Sequence, residues 1–163
     1  MVTRYEALWT PEGAPRGGGA GGVRMSQQNA RILDQMYDAV LRRDLDRFVA
    51  LHDPGAEVIP LILDVEARGY HGHEGLRRFW SEIHSAFPDW HWEVERVEPF
   101  DQGALVTVRI CGRSKAGGMR IDQRAWHLVK VRHANIVWWR VFRAEAEARQ
   151  AARSQALGTP LGQ

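Results

Sequence analysis

Two hydrophobic periods divide this chain, and each switch between them marks an element. Over residues 27–43 the apolar side chains Ile32, Leu33, Met36, Tyr37, Val40 and Leu41 recur at three- and four-residue steps. Arg31, Asp34, Asp38, Arg42 and Arg43 fall outside that stripe, which predicts an amphipathic helix. Residues 44–52 predict a short second helix with Asp44 as its N-cap and Leu45, Phe48, Val49 and Leu51 inward. Asp53-Pro-Gly then reads as a turn, with His52 at its entrance. Residues 57–63 predict a strand, demoted towards a sheet edge by Pro60, and Asp64 and Glu66 fall in a loop. A glycine-rich turn from Gly69 leads into a third helix whose Leu76, Phe79, Trp80, Ile83 and Phe87 share one face; Pro88 ends it.

From Trp90 onwards the period shortens to two. Strands are predicted at 90–97, 104–111, 119–132 and 135–142, joined by Asp101-Gln-Gly, Lys115-Ala-Gly-Gly and His133-Ala. Connections this short predict an antiparallel meander. An alanine-rich, charged helix at 145–156 is expected to pack weakly. The order implies an α+β domain with three N-terminal helices packed over the concave face of a cone-shaped, curved antiparallel sheet. Such a stack can hold a pocket between its layers. Residues 1–24 carry the tract Gly17-Gly-Gly-Ala-Gly-Gly22 and read as a disordered N-terminal extension. Residues 25–163 read as one domain with a loose tail over about the last ten; Met25, followed by the N-cap Ser26, is a candidate native start.

Composition narrows the function classes. Twenty-two Lys and Arg against 20 Asp and Glu form no basic stripe, so a nucleic-acid surface is not expected. The single cysteine, Cys111, excludes an intrachain disulfide and is expected to be a buried, inert thiol. No apolar run reaches the ~18 residues of a membrane helix, and the first residues lack the apolar core of a signal peptide. A cytoplasmic, bacterial-type protein is the expectation. No metal site is expected, because His71-Gly-His73 has no third ligand spaced near it and its glycine reads as a loop entering a helix; separately, His91 should face solvent.

Strand alternation sorts the remaining candidates by face. Ile121, Gln123, Ala125, His127, Val129 and Val131 share the concave side of their strand, and Gln123 and His127 are its polar members. Trp90 and Trp92 should face the same way, as should Trp139 on the last strand. Convergence of Trp80, Trp90, Trp92 and Trp139 would either wall an apolar site for a flat hydrophobic ligand or simply fill the space; Tyr37 could add a phenol, with Gln123 as an orienting donor and His127 as hydrogen-bond donor or general acid/base. No carboxylate is confidently placed inside. Trp126, Trp138 and Phe142 would form an exposed apolar patch on the opposite face, which favours a homodimer.

The segments Met36-Tyr-Asp-Ala39, Arg43-Asp-Leu-Asp46, Asp53-Pro54, Gly69-Tyr-His-Gly-His-Glu-Gly-Leu-Arg-Arg-Phe-Trp80, Phe87-Pro-Asp-Trp90, Asp122-Gln-Arg124 and His127 together resemble the SnoaL-like polyketide cyclase family of the nuclear transport factor 2-like superfamily. The resemblance covers about residues 29–151. It implies a pocket between helices and concave sheet, a homodimer through the other face, and proton-transfer chemistry without a cofactor: cyclase, isomerase or dehydratase action on a hydrophobic carbonyl compound. In that family a strand histidine placed like His127 stabilises an enolate while a last-strand aspartate moves the proton. That aspartate is absent at Arg140–Val141, which keeps open a non-catalytic binder of a hydrophobic ligand, or a structural dimerisation module. His133-Ala134 stands where an Asp-Gly hairpin is usual, Ala144 stands where an aspartate is usual, and Arg149 stands where leucine is common; together these suggest a loosened C-terminal lid.

Overall fold

A computed structural model describes residues 27–60 and 69–156. The N-terminal extension, the start at Met25 with its Ser26 cap, the strand end at 61–63, the Asp64 and Glu66 loop and the end of the tail lie outside the described residues. The elements run α1 (Gln27–Arg42), α2 (Leu45–Ala50), β1 (His52–Ile59), β2 (Tyr70–His71), α3 (Gly72–Ala86), β3 (His91–Phe100), β4 (Gly103–Arg113), β5 (Arg120–Arg132), β6 (Asn135–Phe142) and α4 (Glu145–Ala156). The six strands form one curved, unclosed sheet in the order β2-β1-β6-β5-β4-β3.

The meander expected from the short connections is present: β3–β4, β4–β5 and β5–β6 all pair antiparallel. A bulge at Glu95 sets one extra residue against β4 and returns Val97 to the core. The β5–β6 turn places both His133 (φ 50°) and Ala134 (φ 61°) in the left-handed region, the tight primed-turn geometry that asparagine and glycine ordinarily supply.

Around β1 the structure departs from the pattern. The second helix ends at Ala50, and the strand begins at His52 instead of Glu57. Asp53-Pro-Gly forms an irregularity inside that strand, closed by the Gly55 N–H donating to Asp53 Oδ1 at 2.8 Å. β1 is not an edge: β2 pairs along one side and β6 runs parallel along the other. Pro60 follows the strand's last residue, so it removes no ladder bond. The two-residue β2, hidden in the glycine turn, pairs Tyr70 and His71 with Val58 and Glu57. Gly72 then turns the chain into α3 at φ 66°, where a Cβ would sit 2.8 Å from the Pro54 carbonyl oxygen.

The stripe on α1 also differs at its flanks. Leu41, expected inward, is 40% exposed. Asp34, expected outward, is 9% exposed. Both lie at the margin of the stripe under the ~100° per residue of a helix, so tertiary neighbours decide their burial.

Helices α1–α3 cover the concave face, and their apolar sides join the inward residues of all the long strands in one core. The last helix does not join them. α4 lies on the opposite face, where Ala148 and Ala151 pack with Leu105, Leu128 and Phe142, flanked by Trp126 and Trp138. The apolar patch expected to be exposed is thus covered in part by the chain's own C-terminal helix, and Phe142 is buried. Arg149 adds a two-pronged bond to Glu98 of β3, Nη1 to Oε1 at 3.0 Å and Nη2 to Oε2 at 3.2 Å. Weak packing and a loosened lid were the expectations; small alanines that let the helix approach closely, with a planar guanidinium matched to a carboxylate, explain the difference.

Candidate functional site

Alternation along β5 turns His127 inward, where it is 1% exposed. Its Nδ1 lies 3.0 Å from the Tyr37 hydroxyl, which projects from α1. The two rings are nearly parallel, with centroids 5.9 Å apart. Trp92 of β3 meets the imidazole edge-on at 4.5 Å, and Trp139 of β6 lies 6.1 Å away on a shallow angle. Desolvation lowers the His127 pKa to about 3, so the ring is neutral near pH 7. Its Nε2 is buried with no hydrogen-bond partner among the described residues. If the Tyr37 O–H donates to Nδ1, the proton of the neutral imidazole sits on Nε2, facing the aromatic cluster as a donor.

The other predicted aromatics extend the same cluster. Trp90 contacts Trp92 at 4.8 Å and Phe79 at 5.7 Å. Trp80 packs on Phe48 at 5.2 Å and on His84 at 4.6 Å, and His84 in turn meets Trp90 at 5.7 Å. Tyr37, Trp80, Trp90, Trp92, His127 and Trp139 therefore belong to one connected set, and their rings occupy the space between the layers. Gln123 does not join them. It is exposed, four residues from His127 and so roughly 13 Å away along the strand. The His84 Nε2 and Trp90 Nε1 atoms are also buried without a hydrogen-bond partner among the described residues.

Two groups in this layer escaped the sequence pattern. His52 reads as a turn residue, yet it is buried beside Phe48. Its Nδ1–H donates to the Phe48 carbonyl at 2.7 Å, and its Nε2 accepts from Trp139 Nε1–H at 3.0 Å. Both nitrogens are thus committed in the neutral form, and burial lowers the pKa to about 4. This imidazole fixes the orientation of Trp139. Asp34 is the second. It lies one helical turn before Tyr37 and is the buried carboxylate of the layer among the described residues. Its three-residue spacing from Tyr37 was the available signal.

Two surface clefts lie away from this cluster. One of about 190 Å³ is lined by Asp89, His91, Glu93, Cys111, Gly112, Arg113, Arg120 and Ile121 at the ends of β3, β4 and β5. Another of about 270 Å³ lies where β1 and β6 end near α4, with Pro60, Arg140 and Glu147 in its wall. No helix among the described residues is long and apolar enough to cross a membrane.

Known structures share this architecture at low sequence identity. A nuclear transport factor 2-like protein of unknown function from Burkholderia pseudomallei K96243 superposes with a TM-score of 0.65 at 15% identity, covering 77% of this chain and 97% of its own. A proposed SnoaL-like polyketide cyclase from Jannaschia sp. CCS1 gives 0.63 at 18% identity, over 88% of this chain and all of its own. A Mycobacterium tuberculosis protein in complex with estradiol-17β-hemisuccinate gives 0.64 at 13% identity, over 74% and 97%. Among curated proteins no sequence match is found. The model of the SnoaL-like domain matches residues 33–139, the span from the first turns of α1 to Trp139 that contains every member of the aromatic cluster, and the chain belongs to the SnoaL-like family.

Proposed function

We propose that this protein binds a small, largely apolar carbonyl compound against the concave aromatic cluster, with His127 Nε2 donating a hydrogen bond to the ligand oxygen. The observation that carries the reading is the unpartnered Nε2 of a fully buried imidazole whose other nitrogen is engaged by Tyr37. Leaving such a group unpaired costs about 1–3 kcal/mol, and a ligand carbonyl would recover it. The estradiol-17β-hemisuccinate complex of a related fold supports a flat, hydrophobic ligand class. Entry requires the ring set to part, and Trp92, edge-on over His127, is the side chain that must turn.

In the catalytic form of this reading, the neutral imidazole stabilises the oxygen of a developing enolate by hydrogen bonding, since a pKa of about 3 makes it a poor proton carrier at neutral pH. The proton on carbon would pass to Asp34, the buried carboxylate one turn from Tyr37. The reaction class is a cofactor-independent isomerisation or cyclisation. The missing carboxylate at Arg140–Val141 favours a second reading, a binder that performs no reaction.

Tryptophan fluorescence titrated with planar hydrophobic ketones tests binding, and loss of α-deuterium from the labelled ketones tests catalysis. Saturable quenching that weakens at least tenfold in His127→Ala is expected. Proton exchange abolished in Asp34→Asn would establish the enzyme, and binding without exchange would leave the binder. No quenching by any ketone would sink both readings.

A further inference from the structure

On the convex face, β3 and β4 bring together three side chains that are distant in sequence. His91 pairs directly with Cys111 across the ladder, and Glu93 lies two residues along from His91 on the same face. One ligand-type atom from each, an imidazole nitrogen, a carboxylate oxygen and the thiol sulfur, lies within 4.8 Å of the others. They share the wall of the 190 Å³ cleft at this end of the sheet. We infer that His91, Glu93 and Cys111 form a binding site for a divalent transition-metal ion of the zinc class, with a fourth position open to the cleft.

The hydrogen bonding of His91 argues for a cation. Its Nδ1–H donates to the Asp89 carbonyl at 2.9 Å. In the neutral ring this leaves Nε2 as a bare lone pair. In that form the lone pair faces Glu93 Oε1 at 3.4 Å and repels it, a contact that either a proton on Nε2 or a metal ion between the two would relieve. A positive centre placed between them turns this repulsion into ligation. The spacing suits one: with bonds of about 2.0–2.3 Å, ligand atoms around tetrahedral zinc lie roughly 3.3–3.8 Å apart. The His91 Nε2 and Glu93 Oε1 atoms already meet that separation, and the Cys111 sulfur lies within 4.8 Å of a ligand-type atom of each residue. The backbone carbonyl on Nδ1 is the outer partner that fixes the ring for ligation through Nε2.

The donor set selects the metal. Thiolate, imidazole and a single carboxylate suit zinc or cobalt far better than magnesium or calcium. A bound metal would have to draw off the thiol proton of Cys111, so binding should strengthen with pH. Asp122, opposite Cys111 on β5, is held by Arg109 and lies near Arg120, which takes it out of the ligand set. Arg113 and Arg120 also line the cleft and oppose a cation by charge, so affinity below that of a closed four-ligand site is expected.

The test is calorimetric titration of the full chain with zinc ion alone, alongside visible absorption with cobalt ion alone. We expect one ion per chain and a sulfur-to-cobalt charge-transfer band. Cys111→Ser should abolish the band, and His91→Ala and Glu93→Gln should each weaken zinc binding about tenfold or more, with circular dichroism unchanged. His71→Ala, distant on β2, should leave binding intact and thereby exclude the other histidine pair. Zinc binding that survives Cys111→Ser and His91→Ala together, or no binding by the wild type, would overturn the site.

Discussion

Tyr37 and His127 form a buried pair in which only one of the two imidazole nitrogens is engaged among the described residues. Tyr37→Phe should therefore destabilise the protein by about 1–3 kcal/mol, because it leaves the whole imidazole unpaired in the core. Adding His127→Leu should recover at least about 1 kcal/mol of that loss, since the double variant buries no orphaned polar group there. Urea denaturation of the single and double variants measures the coupling. Additive losses would mean that the imidazole is satisfied in a way the geometry does not indicate. A stabilising His127→Leu that abolishes ketone binding would be the trade expected of a residue kept for its ligand. At this scale the sequence was informative: a histidine on a mostly apolar strand face, and tryptophans at alternate positions, pointed inward and do lie inward. Gln123 obeys the same alternation and is exposed although Ile121, two residues further out, packs against the core; alternation sorts faces and does not fix burial at each position on a face.

Among the elements, the β5–β6 hairpin stores the clearest local strain. Ala134 at φ 61° carries a Cβ in the left-handed region, a cost of about 1–2 kcal/mol relative to glycine, offset in part by the extra freedom of glycine in the unfolded chain. Ala134→Gly should raise stability by about 0.5–1 kcal/mol without changing the fold, read as an upward shift in thermal midpoint. An unchanged or lower midpoint would show that the turn relaxes into another geometry. The sequence signalled this strain through the absence of asparagine and glycine at the turn. It misjudged α4 and β1 for a shared reason. Helix α4 holds through two alanines and the Arg149–Glu98 bond, whose partner is about fifty residues away and invisible to local amphipathicity. β1 begins five residues early because β6 pairs with it at His52↔Ile136, and a local turn signal at Asp53-Pro-Gly cannot outweigh a strand waiting alongside.

For the whole molecule, the buried histidines set a pH dependence. His52 and His127 have folded pKa values of about 4 and about 3, against 6.5 for the exposed ring. The unfolded chain therefore binds more protons than the folded one between those values. Stability from this source is complete above about pH 6.5 and falls as the pH drops towards 4 and then 3. The loss should approach roughly 1.4 kcal/mol per histidine per pH unit once the unfolded rings are charged. Denaturation midpoints from pH 7.5 to 5 should decline, with a shallower slope in His127→Leu; a flat profile would contradict neutral burial of both rings. Sequence periodicity determined most of the architecture: three helices, a four-strand meander, a final helix and the inward aromatics all follow from hydrophobic spacing, because spacing of 3.6 and 2 residues is a property of the local backbone. Tertiary structure alone decided which flank positions are buried, as at Asp34 and Leu41, that β1 lies inside the sheet, and that α4 covers the outer face. It alone set His52 on Trp139 and gathered His91, Glu93 and Cys111. Those outcomes depend on which distant segments meet, and long-range pairing leaves no period in the chain.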